Sequence, residues 1–124
     1  MEPNMTHGSF SWNELTTKDT KAALEFYTKL FGWNTEVMHM GPMDYTVVKV
    51  GDRAIGGVMA SPPEAPTMWT GYVTVDNIDE TVKLAESLGG TVCVPATDIP
   101  DVGRFAILRD PQGAIIAAIT YVKR

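Results

Sequence analysis

Glu14, in Phe10-Ser-Trp-Asn-Glu-Leu-Thr16, is the residue of this chain best placed to do chemistry. Strand alternation puts Phe10, Trp12 and Glu14 on one face and Asn13 and Leu15 on the other. A carboxylate set against an indole and apolar walls loses hydration, which favours its protonated form and suits it to general-base or anchoring work. It serves equally as a structural group paired with an arginine such as Arg53 or Arg104. Arg104 follows Gly103 at a strand start, where its planar fork either binds an anion bidentately or closes a salt bridge. No second acid or nucleophile accompanies Glu14 in the sequence, so the carboxylate alone does not establish catalysis, and whether the chain is an enzyme stays open.

The other reactive residue types are sparse. His7 lies in a polar N-terminal stretch expected to fray, and His39 sits at a strand end, where a solvent-edge imidazole is expected. Cys93 is the single cysteine, so no intramolecular disulfide forms. Its apolar run, Thr-Val-Cys-Val-Pro, predicts a small core hydrophobe. The aromatic and thioether residues give a second signal: Trp12, Trp69 and Tyr72 with Met38, Met40, Met43, Met59 and Met68. Flexible methionines and flat rings suit a pocket for varied apolar ligands, and they suit a barrel core or dimer seam equally well.

Ten basic against fifteen acidic residues give a net charge of −5, which argues against nucleic acid or an anionic membrane as the main partner. No apolar stretch approaches a membrane span, and the first residues lack a basic start followed by an apolar block, so a cytoplasmic protein is expected.

The elements that must position these residues come in two copies. Residues 15–33 lie over 73–91 at an offset of about 58, with Leu15 on Val73, Asp19 on Asn77 and Leu30 on Leu88. Tyr45-Thr-Val-Val-Lys lies over Phe105-Ala-Ile-Leu-Arg at an offset of about 60. In the first copy a strand over 10–16 leads to a helix capped by Asp19, with Ala23, Phe26, Tyr27 and Leu30 at helical spacing and Gly32 as its stop. Strands over about 34–40, 44–50 and 54–60 follow. Residues 61–68 hold three prolines and form a linker. The second copy has a strand over about 69–75, a helix over 78–88 capped by Asn77, and strands over about 91–95, 103–109 and 114–121. The order is βαβββ twice, in one domain over residues 9–121 with modules at about 9–60 and 69–121.

Asp19-x-x-x-Ala23-x-x-Phe26-Tyr27-x-x-Leu30-Phe31-Gly32-Trp33, Arg109-Asp110-Pro111-Gln112-Gly113 and the duplication together resemble the vicinal oxygen chelate superfamily, which holds glyoxalase I, bleomycin resistance proteins and extradiol dioxygenases. The opening Trp12-x-Glu14-Leu15 and Gly103-Arg104-Phe105 look most like its glyoxalase-like hydroxylase or antigen branch. The resemblance implies an α+β fold, two tandem βαβββ modules forming an incomplete β-barrel with a central cleft. In the superfamily's metal-dependent members, four ligands line that cleft. The matching positions here are Trp12 and Thr70 on the first strands and Gly57 and Ala117 on the last. Indole, hydroxyl, hydrogen and methyl do not make a divalent cation site. A register slip to Asn13, Gly71, Gly56, Val58, Ile116 or Ala118 is no better.

The reading is a small, partly apolar molecule bound in the cleft without metal or other cofactor. Ligand contacts are expected from Trp12, Glu14, Gly57, Met59, Thr70, Tyr72, Arg104 and Ala117, where the small residues open space. Tyr72 shares a face with Thr70, and Met59 with Gly57. The alternatives are a lyase, isomerase or dioxygenase-type enzyme with a non-standard site, Glu14 being its catalytic candidate, and a non-catalytic dimeric partner or regulatory protein. A homodimer is expected, because it would cover the exposed edges.

Overall fold

A computed structural model describes residues 5–40 and 43–122; the side chains of Met40 and Met43 lie outside that description. The elements are β1 (Phe10–Thr17), α1 (Thr20–Phe31), β2 (Asn34–Met40), β3 (Met43–Val50), β4 (Arg53–Ala60), β5 (Met68–Thr74), α2 (Ile78–Ser87), β6 (Thr91–Ile99), β7 (Gly103–Arg109) and β8 (Ile115–Tyr121). The βαβββ order therefore occurs twice, and the fold is α+β, as the repeat predicts. The chain divides into two compact units, one spanning Trp12–Trp69 and the other Thr70–Arg124 with Glu2–Ser11.

In the first unit the strands lie in the order β2-β3-β4-β1. β1 runs parallel to β4, with Glu14 beside Gly57 and Leu15 beside Val58. A parallel pair cannot be closed by a hairpin, so α1, β2 and β3 form the crossover between its members. Asp19 caps α1 by accepting from the Ala22 amide at 3.0 Å, and Gly32, at φ 74°, ends it. Leu15, Val48 and Val58 form the core, with Ala23, Leu24, Tyr27, Trp33 and Ile55 packed on it. Burial of each such aliphatic side chain contributes about 1.5–3 kcal/mol.

Of the four α1 residues at helical spacing, Ala23 and Tyr27 turn to the sheet and Phe26 and Leu30 do not. Phe26 is 60% exposed and Leu30 56%, while Ala23, Leu24 and Tyr27 meet the sheet. The helix carries apolar residues on two adjoining stripes, and spacing alone does not say which one the sheet covers.

The second unit repeats the arrangement, in the order β5-β8-β7-β6. β5 is parallel to β8, with Tyr72 beside Ala117. Asn77 caps α2 through the Glu80 amide at 3.2 Å. The core is Val75, Ile78, Ala106, Leu108 and Ala118. β6 runs to Ile99, beyond the expected end at 95, and passes Pro95 with register shifts on both sides of Val94. Proline is tolerated there because β6 pairs with β7 alone in this unit and the bulges absorb the missing amide.

Cys93 is exposed, contrary to the expected core position. Val92 and Ala96 take the helix-facing parity of β6, which turns residue 93 the other way. The segment at His7 is tied down where fraying was expected. The Asp76 amide donates to His7 Nδ1 at 3.0 Å, and the Gly8 amide donates to the Thr74 carbonyl at 2.8 Å.

In the Asp110-Pro-Gln-Gly113 turn, the Asp110 carboxylate accepts from the amides of Gln112 at 2.8 Å and Ala114 at 3.0 Å. Those backbone bonds, Ala114 first, hold its pKa below the usual aspartate value. A depressed folded-state pKa contributes stability that is present above the unfolded value and lost as pH falls through the folded one. Asp110→Asn is therefore expected to lower the thermal midpoint near pH 7, with the gap to wild type closing below about pH 4. Paired melts across that range test this; a gap independent of pH would refute it.

Candidate functional site

On the sheet face opposite α1, the first unit carries a hydrogen-bonded chain of three side chains. Trp12 Nε1 donates to Tyr45 Oη at 2.8 Å, and Tyr45 Oη donates to Glu14 Oε1 at 2.8 Å. All three residues are partly buried. Strand parity explains the meeting. Trp12 and Glu14 are alternate residues of β1, Gly57 lies beside Glu14 on β4, and Val47 on β3 faces Gly57 in the antiparallel ladder. Tyr45, two residues before Val47, leans its ring diagonally across Gly57.

Gly57 is the space that ring occupies. A Cβ built there would fall 2.1 Å from Tyr45 Oη and 2.2 Å from Tyr45 Cε1 and Cζ. The glycine thus admits a tyrosine, which corrects the expectation that its small size opens room for a ligand. Met59, two residues on, has the same parity and is partly buried.

The second unit builds the equivalent face differently. Tyr72 is 5% exposed beside fully buried Ala117, and Thr70 is also buried. Tyr72 meets Phe105, with ring centroids 6.3 Å apart and planes tilted 42°. Phe105 is the repeat counterpart of Tyr45, and Tyr72 that of Glu14. The duplicated registers therefore hold a polar chain in one unit and an aromatic pair in the other.

Arg104 is not on that face. It shares parity with Ala106 and Leu108, which face α2. Its Nε and Nη2 donate to Asp79 at 3.1–3.4 Å, and Nη1 donates to Asp98 Oδ1 at 3.0 Å. These bonds, Asp79 before Asp98, raise an already high guanidinium pKa. The arginine clamps the first turn of α2 to β6 and β7, the salt-bridge alternative of the two the sequence allowed.

The four positions matched to metal ligands do not fit a divalent ion. Trp12 presents an N–H donor already given to Tyr45, Gly57 lies under the Tyr45 ring, and Ala117 offers a methyl group. Thr70 supplies one neutral oxygen. No group of three or more His, Cys, Asp or Glu side chains able to hold an ion occurs among the described residues. His39 Nδ1 lies 2.7 Å from Asp44 Oδ1 in an exposed pair, the solvent-edge placement expected of it.

Sequence reasoning missed Tyr45 and a second feature. Tyr45 was legible as the counterpart of Phe105 but not as a site residue, because its reach across Gly57 depends on the β3–β4 register. The second feature lies on the α1 side of the first unit. There Asn13, Tyr27, Phe31, Trp33, Val48, Ile55, Gly56 and Trp69 line an open pocket of about 410 Å³. Trp69, grouped with Trp12 by composition, belongs to that side; its Nε1 donates to Tyr27 Oη at 3.0 Å.

Gly57→Ala is expected to displace the Tyr45 ring and cost about 1–3 kcal/mol, as overpacking does. In a Tyr45→Ala background the same change should cost less than about 0.5 kcal/mol, since the clash is gone. Urea titration of the four proteins measures this coupling, and equal costs in both backgrounds would refute the packing account.

Comparison with known proteins agrees with the repeat. Residues 9–117 match the model of the Glyoxalase/Bleomycin resistance protein/Dioxygenase superfamily. The chain is 42% identical over 114 residues, 90% of its length and 44% of the relative's, to the Mycobacterium tuberculosis protein named "Putative glyoxylase CFP32". It is 30% identical over 126 residues, 89% of its length and 46% of the relative's, to the anthracycline biosynthesis protein DnrV of Streptomyces peucetius. It spans less than half the length of these curated relatives. Among solved structures, a hypothetical protein of Bacillus halodurans superposes with a TM-score of 0.71 at 12% identity, covering 96% of this chain and 98% of that one. Methylmalonyl-CoA epimerase of Mycobacterium tuberculosis gives 0.63 at 15% identity, covering 99% and 93%. At those identities the likeness is one of fold. By the family match and the 42% identical relative, the chain belongs to the Glyoxalase/Bleomycin resistance protein/Dioxygenase superfamily.

Proposed function

We propose that this chain binds a small, partly apolar molecule without a divalent metal, on the first-unit face that carries Trp12, Tyr45 and Glu14. The observation that carries the reading is the Trp12–Tyr45–Glu14 hydrogen-bond chain laid over Gly57. Each member restrains the next, so a carboxylate is held in one orientation beside an indole. A preorganised acceptor on an apolar face recognises a ligand with an apolar body and a hydrogen-bond donor or cationic tip. Thr70, Tyr72 and Ala117, also expected as ligand contacts, are buried within the second unit and are left out of this face. Arg104 is left out of it, being held by Asp79 and Asp98.

The second reading is an enzyme of the same superfamily, with Glu14 as general base and the Tyr45 hydroxyl relaying its proton. The hydrogen bond between those two groups and the name of the 42% identical mycobacterial relative favour it. A homodimer, a cytoplasmic location and the absence of nucleic-acid or membrane partners complete the proposal. The net charge supports the last of these, and exposed Val37 on β2, the outermost strand of the first unit, supports pairing. No helix among the described residues is long and apolar enough to cross a membrane.

A thermal-shift screen of metabolites, run with and without a chelator, tests the primary reading. A true ligand at a hundredfold its Kd should add about 2.7 kcal/mol of stability in both conditions. Tyr45→Phe, which removes the link to Glu14, should weaken that ligand roughly tenfold, or about 1.4 kcal/mol. Loss of the ligand response on chelation, or one tightly held metal ion per purified chain, would overturn it.

A further inference from the structure

The α1 side of the first unit holds a second constellation that the proposed binding face does not use. Tyr27, Phe31 and Trp33 cluster with ring centroids 5.1–6.2 Å apart, Tyr27 inclined 15° to Phe31 and 22° to Trp33, and Phe31 tilted 37° to Trp33. Trp69 stands across them, at 80° to both Tyr27 and Trp33. These rings, with Trp69 across them, border the pocket of about 410 Å³, within the range of small-molecule sites. Flat aromatic walls of this kind favour a planar guest over a bulky aliphatic one.

Two polar groups on the wall are unspent. Tyr27 Oη accepts the Trp69 indole proton, and no acceptor for its own proton is recorded among the described residues. The Asn13 carboxamide, exposed at the same pocket, has no protein partner among them either. Every lining residue is uncharged, so a charged guest would find no counter-ion there. Available hydrogen-bonding groups, aromatic walls and neutrality together define the guest's chemistry.

We infer that this pocket is a binding site for a neutral, planar aromatic molecule of two or three fused rings bearing a carbonyl or lactam edge. The ring system lies against the aromatic walls of Phe31, Trp33 and Trp69, and the carbonyl accepts from the Tyr27 hydroxyl or the Asn13 amide. The site is separate from the Trp12–Tyr45–Glu14 face, since Asn13 and Gly56 have the β1 and β4 parity opposite to Glu14 and Gly57.

The test is an amide-shift NMR titration of the chain with quinolin-2-one, beside naphthalene as the matched hydrocarbon, and with sedimentation velocity on the same samples. Quinolin-2-one should saturably shift the amides of Trp33, Ile55 and Gly56, and bind at least about fivefold tighter than naphthalene, the scale of one net hydrogen bond. Tyr27→Phe should erase most of that preference. Asn13→Ala, an exposed change with little bearing on folding, should reduce it if Tyr27→Phe does not fold. Shifts confined to Trp12, Glu14 and Gly57, equal affinity for the two probes, or no shifts at all would each overturn the inference. So would a stable dimer whose α1 side is covered by the second copy and closed to the probe. Shifts at the pocket with no ligand found for the other face would support this site while leaving the primary reading to fail alone.

Discussion

The parallel pairing of the first strand with the last in each module is the constraint on which the rest depends. It sets Glu14 beside Gly57 in one unit and Tyr72 beside Ala117 in the other. Side chains alternate along a strand, so a slip of one residue would exchange the two faces completely. The apolar cluster of Leu15, Val48 and Val58 prevents that slip by requiring α1 above it. Once the core face is fixed, Trp12, Glu14 and Gly57 fall on the opposite one, and Tyr45 is carried there by β3. The polar chain is thus a consequence of where the core must lie.

Duplication kept that geometry and let its chemistry diverge. Tyr45 and Phe105 occupy corresponding strand positions and each leans toward the partner strand pair. In the first unit the tyrosine hydroxyl finds Trp12 and Glu14; in the second the phenyl ring meets Tyr72. The glycine at 57 follows from that crowding, since a side chain there competes with the Tyr45 ring. The small residue at 57 therefore marks packing in this chain. The metal-ligand mismatch and the ring-over-glycine contact are two views of one rearrangement.

Helix α1 shows how binding surface arises from incomplete cover. None of its residues is fully buried, and its aromatic residues lie at the margin of the sheet with Trp69 beside them. A helix seated on three small core residues leaves its long side chains to border a hollow rather than fill it. The same seating accounts for exposed Phe26 and Leu30. By contrast α2 is clamped through Arg104 to two strands, and it buries Ile78.

The sequence by itself determined the two βαβββ modules, the Asp19 and Asn77 caps, the Gly32 stop and the superfamily, because repeats, caps and hydrophobic period are local properties of the chain. It also determined that Trp12, Gly57, Thr70 and Ala117 cannot form an ion site, since that rests on side-chain type alone. Only the tertiary structure decided that Tyr45 covers Gly57, that Arg104 belongs to α2 and its strands, and that Trp69 joins Tyr27 and not Trp12. Those outcomes turn on strand register and on which stripe of a helix meets the sheet, and both are set by contacts between residues far apart in the chain.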